Sequence, residues 1–267
     1  MATKAIKLKR TIHDRKEVVI GMWCSLASMT TLEMAGKEKA IDFAIFDLEH
    51  SPYYADKIIE FVHAAEWADV VPLVRVPDRG HVLIQKVLDV GAKGIFVPMI
   101  RNADELRKAI AATRFQPEGT RGACPGSHGT GYCNFNDRVS WAKKVKELNE
   151  EMIVFALPLE TRESIDHLEE IITVPGLDCA SLSTMDLTHA LGHIDQPDHS
   201  EIKGAQDKLL SLCDKHNVPV YALPTAVGHF EKWYDRGVRV FTIIDRELFR
   251  FGLNEFGKQW AGRRNGQ

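Results

Sequence analysis

Short runs of apolar and β-branched residues recur along the chain, and eight of them have the length of a buried β-strand. These runs occupy residues 18–24, 43–49, 72–76, 94–98, 153–160, 179–183, 218–223 and 239–244. Between them lie segments such as ADKIIEFVHAAEWA and HVLIQKVLDVGA, in which apolar residues recur three and four positions apart. The pattern therefore predicts a regular alternation of strands and helices.

Near-continuous apolar strands are typical of a parallel sheet that helices cover on both faces. Eight strand-helix units in 267 residues predict a closed (β/α)8 TIM barrel, an α/β fold with a single domain over residues 1–267 and a short N-terminal extension. The alternative is an open doubly wound sheet, which normally carries G-x-G-x-x-G after its first strand. The first strand here runs into CSLASMT instead, which favours the barrel.

Composition and charge narrow the range of partners. The chain has 34 Lys and Arg against 37 Asp and Glu, so it lacks the basic excess that binds a nucleic acid backbone. No segment approaches the twenty apolar residues of a membrane span, and no apolar run of signal length follows the basic opening stretch. The five cysteines contain no C-x-x-C pair. We therefore expect a soluble cytoplasmic protein that binds neither nucleic acid nor membrane.

The working residues of a (β/α)8 barrel stand at the carboxyl ends of its strands, so polar residues that end the apolar runs are the candidates. This set is rich in carboxylates and contains one histidine and one arginine. Its members are Asp47, Glu49, His50, Arg75, Glu160 and Asp186.

Glu160 and Asp186 are separated by about one strand-helix unit, which predicts that they face the same mouth of the barrel. Two carboxylates can hold one hard cation with open positions for waters and substrate, as is usual for Mg²⁺ or Mn²⁺. On spacing alone, however, a structural interpretation of both residues is favoured. Glu160 would pair with Arg162 or cap the next helix, and Asp186 would be the N-cap of LTHALG.

His50 and Arg75 also have two interpretations each. On an extended backbone His50 and Glu49 point to opposite faces, so only one of them would enter the mouth, and a histidine suits proton transfer near neutral pH. Arg75 interrupts the apolar run PLVRVP, where a charge needs an anionic partner. That partner is either a ligand or a structural ion pair with Asp47 or Glu49.

Six motifs together resemble the HpcH/HpaI aldolase family. They occur in family order, and the resemblance extends over roughly residues 18–250. They are FDLEHSP at 46–52, LVRVP at 73–77, LDVGAKGIFVPMI at 88–100, PEGTRG at 117–122, LET at 159–161 and MDLTHALG at 185–192. The resemblance implies a metal-dependent class II aldolase on a (β/α)8 barrel. Such a lyase splits a 4-hydroxy-2-oxo acid into pyruvate, or a related 2-oxo acid, and an aldehyde.

The resemblance also implies roles for particular residues. It makes Glu160 and Asp186 the ligands of a divalent cation, Mg²⁺ or Mn²⁺ with Co²⁺ or Zn²⁺ as substitutes. Arg75 becomes the partner of the keto oxygen, and His50 becomes the catalytic base.

The family resemblance extends to residues around the base and to the assembly. Asp47 and Asp89 match acidic positions that orient or hydrogen-bond the base, with a contact across a subunit boundary as one way to do so. The family implies a homohexamer. The closing segment DRELFRFGLNEFGKQWAG carries more apolar residues than one helix face buries against its own barrel, which predicts that this C-terminal helix packs on a neighbouring subunit.

Two positions depart from the family pattern. Pro158 stands where the family commonly has Gln, so a side-chain amide near the keto acid is missing. Ser183 and Thr184 stand where Gly-Pro is usual, and we expect them to contact the substrate. These departures leave two alternatives open, an acyl-CoA thioester lyase of the citrate lyase β-like branch and a catalytically weak metabolite-binding member of the fold.

Overall fold

The computed structural model describes residues 2–26, 28–134, 136–224 and 230–264, with side chains as far as residue 261. Eight parallel strands follow one another around a closed barrel, and the last pairs with the first. The strands are β1 Val19–Trp23, β2 Phe43–Asp47, β3 Val71–Arg75, β4 Gly94–Val97, β5 Ile153–Ala156, β6 Cys179–Ser181, β7 Val220–Ala222 and β8 Val240–Ile244. The predicted single-domain (β/α)8 barrel is confirmed.

Helices connect the strands and surround the barrel. They are α1 Lys4–Asp14, α2 Met29–Lys37, α3 Ile58–Trp67, α4 His81–Asp89, α5 Ala103–Thr113, α6 Arg138–Glu151, α7 Arg162–Asp166, α8 Leu168–Ile172, α9 Met185–Ala190, α10 Ser200–Lys215, α11 Glu231–Tyr234 and α12 Asp245–Arg264. In the part of the chain that the structure describes, none of these helices combines the length and the apolar character that crossing a bilayer requires.

One strand is shorter than its apolar run. β5 ends at Ala156, whereas the run predicted a strand as far as residue 160. The backbone N–H of Leu157 still donates to the carbonyl of Val97 over 3.0 Å. Pro158 follows and has no N–H to continue the ladder, so the chain leaves the sheet before Glu160.

The interior of the barrel is filled by aromatic rings from alternate positions of the strands. Phe96 and Phe155 stack with centroids 4.3 Å apart, and Tyr221 meets each of them edge-on at 5.5 Å. A Cβ on Gly21 would lie 2.3 Å from the ring of Phe43, so the glycine provides the space that this ring fills. The described interior is therefore a packed core, and it gives the residues above it a rigid floor.

The short N-terminal extension is helix α1, which closes the amino end of the barrel. Its buried face presents Ala5, Leu8 and Ile12 to the interior aromatic cluster. A second, larger apolar layer lies between the outer faces of the strands and the surrounding helices. The barrel thus has a plugged amino end, and its carboxyl end carries the polar residues.

Helix α12 is the longest helix and contrasts with the others. It follows β8 directly, and it leaves Phe249 61%, Leu253 54% and Phe256 57% exposed. Leu248 and Phe251 are also exposed. A large apolar surface therefore runs along this helix in the single chain.

Candidate active site

Arg75 and Asp47 form the firmest polar contact at the carboxyl end of the barrel. They are the last residues of β3 and β2 and are register partners across the two strands. The guanidinium donates from Nε to Oδ1 of Asp47 over 2.8 Å and from Nη2 to Oδ2 over 2.5 Å. Nη1 also lies 3.1 Å from Oε2 of Glu49. The structure thus confirms the ion-pair interpretation of Arg75 with both carboxylates.

Electrostatics around this pair follow from its burial. Burial alone raises the pKa of Asp47, but the hydrogen bonds and charge of Arg75 outweigh it and lower that pKa below its ordinary value. The pKa of Glu49 is raised by burial, with Asp47 and Asp186 adding to the effect against the attraction of Arg75. Asp47 is therefore an ionised carboxylate that anchors Arg75. Glu49 contacts the same guanidinium, which is already hydrogen-bonded to Asp47.

Two aromatic residues hold this arrangement in place. The guanidinium carbon of Arg75 lies 4.7 Å from the ring centroid of Trp23, at the end of β1. The hydroxyl of Tyr53 accepts from the backbone N–H of Asp47 over 2.8 Å and donates to the carbonyl of Cys24 over 3.1 Å. Sequence reasoning missed Trp23 and Tyr53, although both lie within or beside the apolar runs that lead to the site.

Glu160 is a buried carboxylate, 4% exposed, in the loop after β5. Its Oε2 accepts from the backbone N–H of Met99 over 2.5 Å. Met99 has a φ of 53°, the left-handed region that non-glycine residues seldom adopt. The VPMI motif therefore turns a backbone donor toward the acid.

The pKa of Glu160 is raised to about 8, chiefly by burial. Asp186 and Glu49 raise it further, and the N–H of Met99 and the charge of Arg75 oppose them. Glu160, Asp186 and Glu49 thus act on one another in one region of the barrel mouth. Their negative charge exceeds what the neighbouring arginine supplies.

Both structural interpretations of Glu160 prove wrong. The N-cap of α7 is Thr161, whose side chain accepts from the N–H of Ser164. Arg162 lies 3.9 Å from Glu201, on α10, and is directed toward that residue. The buried Glu160 carboxylate therefore neither pairs with Arg162 nor caps the next helix.

Asp186 lies in the first turn of α9 and is exposed. Because Thr184 occupies the N-cap position, the expectation that Asp186 caps this helix is wrong. Ser183 and Thr184 are half-buried between β6 and α9, and the N–H of Ser183 donates to the hydroxyl of Ser181 over 2.9 Å. The two residues that replace the usual Gly-Pro thus lead directly into the helix that carries Asp186.

His50 lies in a turn that follows β2, so the extended backbone assumed for residues 49 and 50 is not formed. The prediction that His50 and Glu49 point to opposite faces is therefore wrong. Nε2 of His50 lies 3.8 Å from Oε2 of Glu49, and the imidazole side chain is 64% exposed. The histidine stands at the outer edge of the mouth.

Asp89 occupies a different part of the barrel. It is the last residue of α4, which returns the chain from the carboxyl end of β3 to the amino end of β4. Its Oδ1 accepts from Nη2 of the buried Arg121 over 2.8 Å. Within one chain Asp89 and His50 lie near opposite rims, so a role of Asp89 at the base requires a second copy of the chain.

The carboxylates of the mouth fit a divalent cation. Glu160 is buried with a raised pKa, and Asp186 and Glu49 add negative charge to its surroundings. A buried carboxylate with like charges near it is costly unless a cation compensates it, and carboxylate oxygens are the donors that hard cations prefer. A (β/α)8 barrel with an anchored arginine beside such a group defines a class of enzymes that bind anionic small molecules at the strand ends.

Comparison with known proteins identifies the family within this class. The profile of the HpcH/HpaI aldolase/citrate lyase family matches residues 19–240. A pyruvate aldolase from Rhizobium etli is 33% identical over 186 residues, which are 70% of each protein. A 5-keto-4-deoxy-D-glucarate aldolase from Klebsiella pneumoniae is 29% identical over 232 residues, which are 87% of each protein.

Solved structures agree with the sequence comparison. The crystal structure of an HpcH/HpaI aldolase/citrate lyase family protein from Burkholderia cenocepacia superposes with a TM-score of 0.85 at 25% identity, covering 96% of this chain and 99% of that one. The chain belongs to the HpcH/HpaI aldolase/citrate lyase family. It is an aldolase, a lyase that acts on a carbon-carbon bond, and the family implies a divalent metal.

Proposed function

We propose that this aldolase reversibly cleaves a 4-hydroxy-2-oxo acid into pyruvate, or a related 2-oxo acid, and an aldehyde. The observation that carries the proposal is the meeting of an anchored guanidinium with a buried carboxylate group at one mouth. Arg75 is held by Asp47 and Glu49, and its charge acts on Glu160. This arrangement supports the binding of a small dianionic or chelating acid above the aromatic floor.

Glu160 and Asp186 would hold the divalent cation, with Glu49 beside them. Mg²⁺ or Mn²⁺ suits these oxygen ligands best, and Co²⁺ or Zn²⁺ would substitute. Such a cation supplies Lewis acidity at the keto and carboxylate oxygens of the substrate. Because burial raises the pKa of Glu160 to about 8, this carboxylate would need the charge of a bound cation to stay ionised at neutral pH.

Arg75 is the residue that would stabilise the negative charge developing on the keto oxygen during cleavage. Its two hydrogen bonds to Asp47 use Nε and one N–H of Nη2, while Nη1 forms an ion pair with Glu49. A guanidinium has five N–H groups, so three lie outside these hydrogen bonds and can donate to the substrate. Since Asp47 fixes the guanidinium plane, little reorganisation is needed as charge accumulates, and such preorganised donors are effective.

His50 would carry the proton of the 4-hydroxyl group. It stands at the outer edge of the mouth, where the aldehyde half of the substrate extends away from the buried carboxylate. Glu49, 3.8 Å from its Nε2, is the acid within the chain that would orient the imidazole. Asp89 would do so from a neighbouring copy.

Ser183 and Thr184 would shape the donor end of the substrate pocket. Pro158 removes an amide that could hold the keto acid, while the two hydroxyls add hydrogen-bonding groups after β6. We infer that a 2-oxo acid with a hydroxyl or substituent on its methyl carbon is an accepted donor beside pyruvate.

The exposed apolar surface of α12 supports a homo-oligomer, and we propose the homohexamer of the family. Phe249, Leu253 and Phe256 would be buried if α12 packs on a neighbouring subunit. We also propose that the enzyme works in the cytoplasm, where its free thiols Cys124 and Cys133 would stay reduced. Light scattering on the wild type and on Phe249→Glu/Leu253→Glu tests the assembly. A monomeric wild type at micromolar concentration would contradict it.

The experiment that tests the activity is cleavage of a 4-hydroxy-2-oxo acid by protein stripped with a chelator and then supplied with Mg²⁺ or Mn²⁺. Pyruvate release is followed with a coupled dehydrogenase. The expected result is negligible turnover after stripping and recovery with either ion. Full activity in the stripped protein, or cleavage of an acyl-CoA thioester without any aldol cleavage, would overturn the proposal.

A further inference from the structure

We propose that the loop between α9 and α10 carries a second cation site, made by His193, His199 and Glu201 and suited to Zn²⁺, Ni²⁺ or Cu²⁺. One donor atom from each of these three side chains lies within 4.8 Å of the other two. Nε2 of His193 is 2.6 Å from Oε2 of Glu201, and the imidazole centroids are 3.5 Å apart. Two imidazoles and one carboxylate thus lie within reach of one ion.

The site is separate from the carboxylate group of the mouth. The described residues that converge here come from the loop after α9 and the first turn of α10, on the rim of the carboxyl end. Glu160 and Asp186 are not among the three donors. Both imidazoles are half-buried, so the surrounding loop keeps them close to the carboxylate.

Backbone hydrogen bonds hold the loop in the shape that brings the donors together. The N–H of His193 donates to the carbonyl of Thr188 over 2.7 Å, and the N–H of His199 donates to the carbonyl of Gln196 over 3.0 Å. The first bond attaches the loop to α9, and the second closes the turn before α10. The spacing His-x5-His-x-Glu therefore becomes a compact donor set.

The donor types decide which cations fit. Imidazole nitrogens suit Zn²⁺, Ni²⁺ and Cu²⁺, whereas Mg²⁺ and Ca²⁺ prefer carboxylates, carbonyls and water. The N-terminus of α10 carries the positive end of a helix dipole, which disfavours a cation bound by electrostatics alone. The site should therefore select an ion with a strong affinity for nitrogen ligands. Because the protein supplies three ligands, water would complete the coordination of the ion.

Binding must rearrange two contacts. The imidazole rings are nearly parallel, with 22° between their planes, and they must rotate apart to direct their lone pairs at one ion. Nδ1 of His199 also accepts from the N–H of Glu201 over 3.3 Å, a long bond that the ion would replace. Arg162 lies 3.9 Å from Glu201 and competes weakly for the carboxylate. These changes lower the affinity but leave the donor set intact.

An ion at this site would connect α9 to α10. Helix α9 carries Asp186, so the ion would restrain the segment that positions one proposed ligand of the catalytic cation. The expected effects are one added equivalent of bound zinc and a higher Tm, independent of turnover.

The test is Zn²⁺ titration by calorimetry of full-length Cys124→Ser protein in excess Mg²⁺. Removing Cys124 eliminates an exposed thiol, a group that would compete for zinc. His193→Gln and the double variant with His199→Gln should each lose one zinc equivalent and the rise in Tm. His216→Gln is the matched control, because Nε2 of His216 lies 2.7 Å from Glu169 without a second imidazole in the pair.

The control variant should bind zinc as its parent does. Equal zinc stoichiometry in the parent and the double variant would overturn the proposal. If circular dichroism shows that the double variant is misfolded, the test is repeated with Co²⁺ on the parent and on His193→Gln alone, by visible absorption. Visible d–d bands of a nitrogen-ligated ion in the parent that are absent in the single variant support the site, and identical spectra overturn it. Loss of aldolase activity on chelation is a separate outcome that bears on the proposed function.

Discussion

The two ends of the barrel each hold a buried acid, and the acids have very different surroundings. At the amino end, Asp178 is 2% exposed and accepts from the N–H of Val154 over 2.8 Å. Its Oδ1 also lies 2.8 Å from Nε2 of His13 and 3.2 Å from Nζ of Lys9, both on α1. Every oxygen of this carboxylate faces a donor, and the contacts fasten the helix that plugs the barrel.

At the carboxyl end, the N–H of Met99 donates to Glu160, whose other neighbours include the carboxylates of Asp186 and Glu49. Arg75, the nearby cation, is already bonded to Asp47. The first acid is part of a satisfied structural network, and the second is under electrostatic stress that a ligand would relieve. Burial of an acid therefore identifies a functional position only when its partners are counted.

The largest effect is expected from removing a proposed cation ligand. Glu160→Gln or Asp186→Asn should lower metal-dependent turnover by roughly 10⁴-fold, since Lewis-acid stabilisation is worth several kcal/mol. Calorimetric titration with Mn²⁺ should show weaker binding in both variants. Glu163→Gln, an exposed acid on α7, is the control and should behave as the wild type. Wild-type metal affinity in both ligand variants would refute the assignment.

His50→Ala should lower aldol cleavage by about 10² to 10⁴-fold, because a general base acts on the barrier of the chemical step. Metal and pyruvate affinity should change little, and the pH profile of kcat should lose one limb. His167→Ala, at the half-buried N-cap residue of α8, is the matched control. Unaltered cleavage kinetics in His50→Ala would exclude this residue as the base.

Neutral replacement of the two buried acids, Asp178 and Glu160, should change the stability of the fold in opposite directions. Asp178→Asn should destabilise the metal-free fold by about 2–4 kcal/mol, because His13 and Lys9 lose a buried anionic partner. Glu160→Gln should instead stabilise it by roughly 1–3 kcal/mol near pH 8. Urea unfolding in the presence of a chelator measures both, and Asp214→Asn, in an exposed ion pair with Arg15, should change almost nothing.

The sign of the Glu160 effect follows from proton linkage. Its pKa is raised from 4.5 to about 8 in the folded state, so between these values the folded protein binds more protons than the unfolded chain. The stability that protonated Glu160 supports is fully present below about pH 4.5 and is lost as the pH rises to 8. The gain from Glu160→Gln should therefore vanish near pH 4.5. A gain that is constant with pH would argue against the stressed carboxylate.

The smallest effect concerns specificity. The lost amide at Pro158 removes a hydrogen bond worth about 0.5–1.5 kcal/mol, and Ser183 and Thr184 add donors of similar strength. The variant Pro158→Gln/Ser183→Gly/Thr184→Pro should shift preference from hydroxypyruvate toward pyruvate by roughly ten-fold, measured as the ratio of kcat/KM. An unchanged ratio would mean that these departures do not determine the donor.

The fold was predictable because each strand lies in a near-continuous apolar run and the segments between the strands show helical periodicity. The contact between Asp47 and Arg75 could also be predicted, since both residues end apolar runs that form neighbouring strands. The C-terminal ends of the runs were less certain. The ladder of β5 stops before Pro158, which an apolar pattern does not register.

Contacts that depend on the backbone conformation of loops could not be predicted from the pattern of apolar and polar residues. The left-handed Met99 directs its N–H to Glu160, and Tyr53 bridges the loops after β1 and β2 through its hydroxyl. The turn at His50 likewise replaced an assumed strand. Each depends on the path of a loop after a strand ends, where neither periodicity nor propensity fixes the direction of a donor.

The plug formed by α1 has a consequence for the order of events in turnover. With Ala5, Leu8 and Ile12 against the packed interior, traffic in the described barrel passes through the carboxyl end. The 2-oxo acid would bind beside the proposed cation ligand Glu160, deep in this dead-end pocket, below the aldehyde near the exposed His50. The aldehyde must then depart first and the 2-oxo acid last. Pyruvate should accordingly inhibit cleavage competitively with the substrate, and the aldehyde noncompetitively.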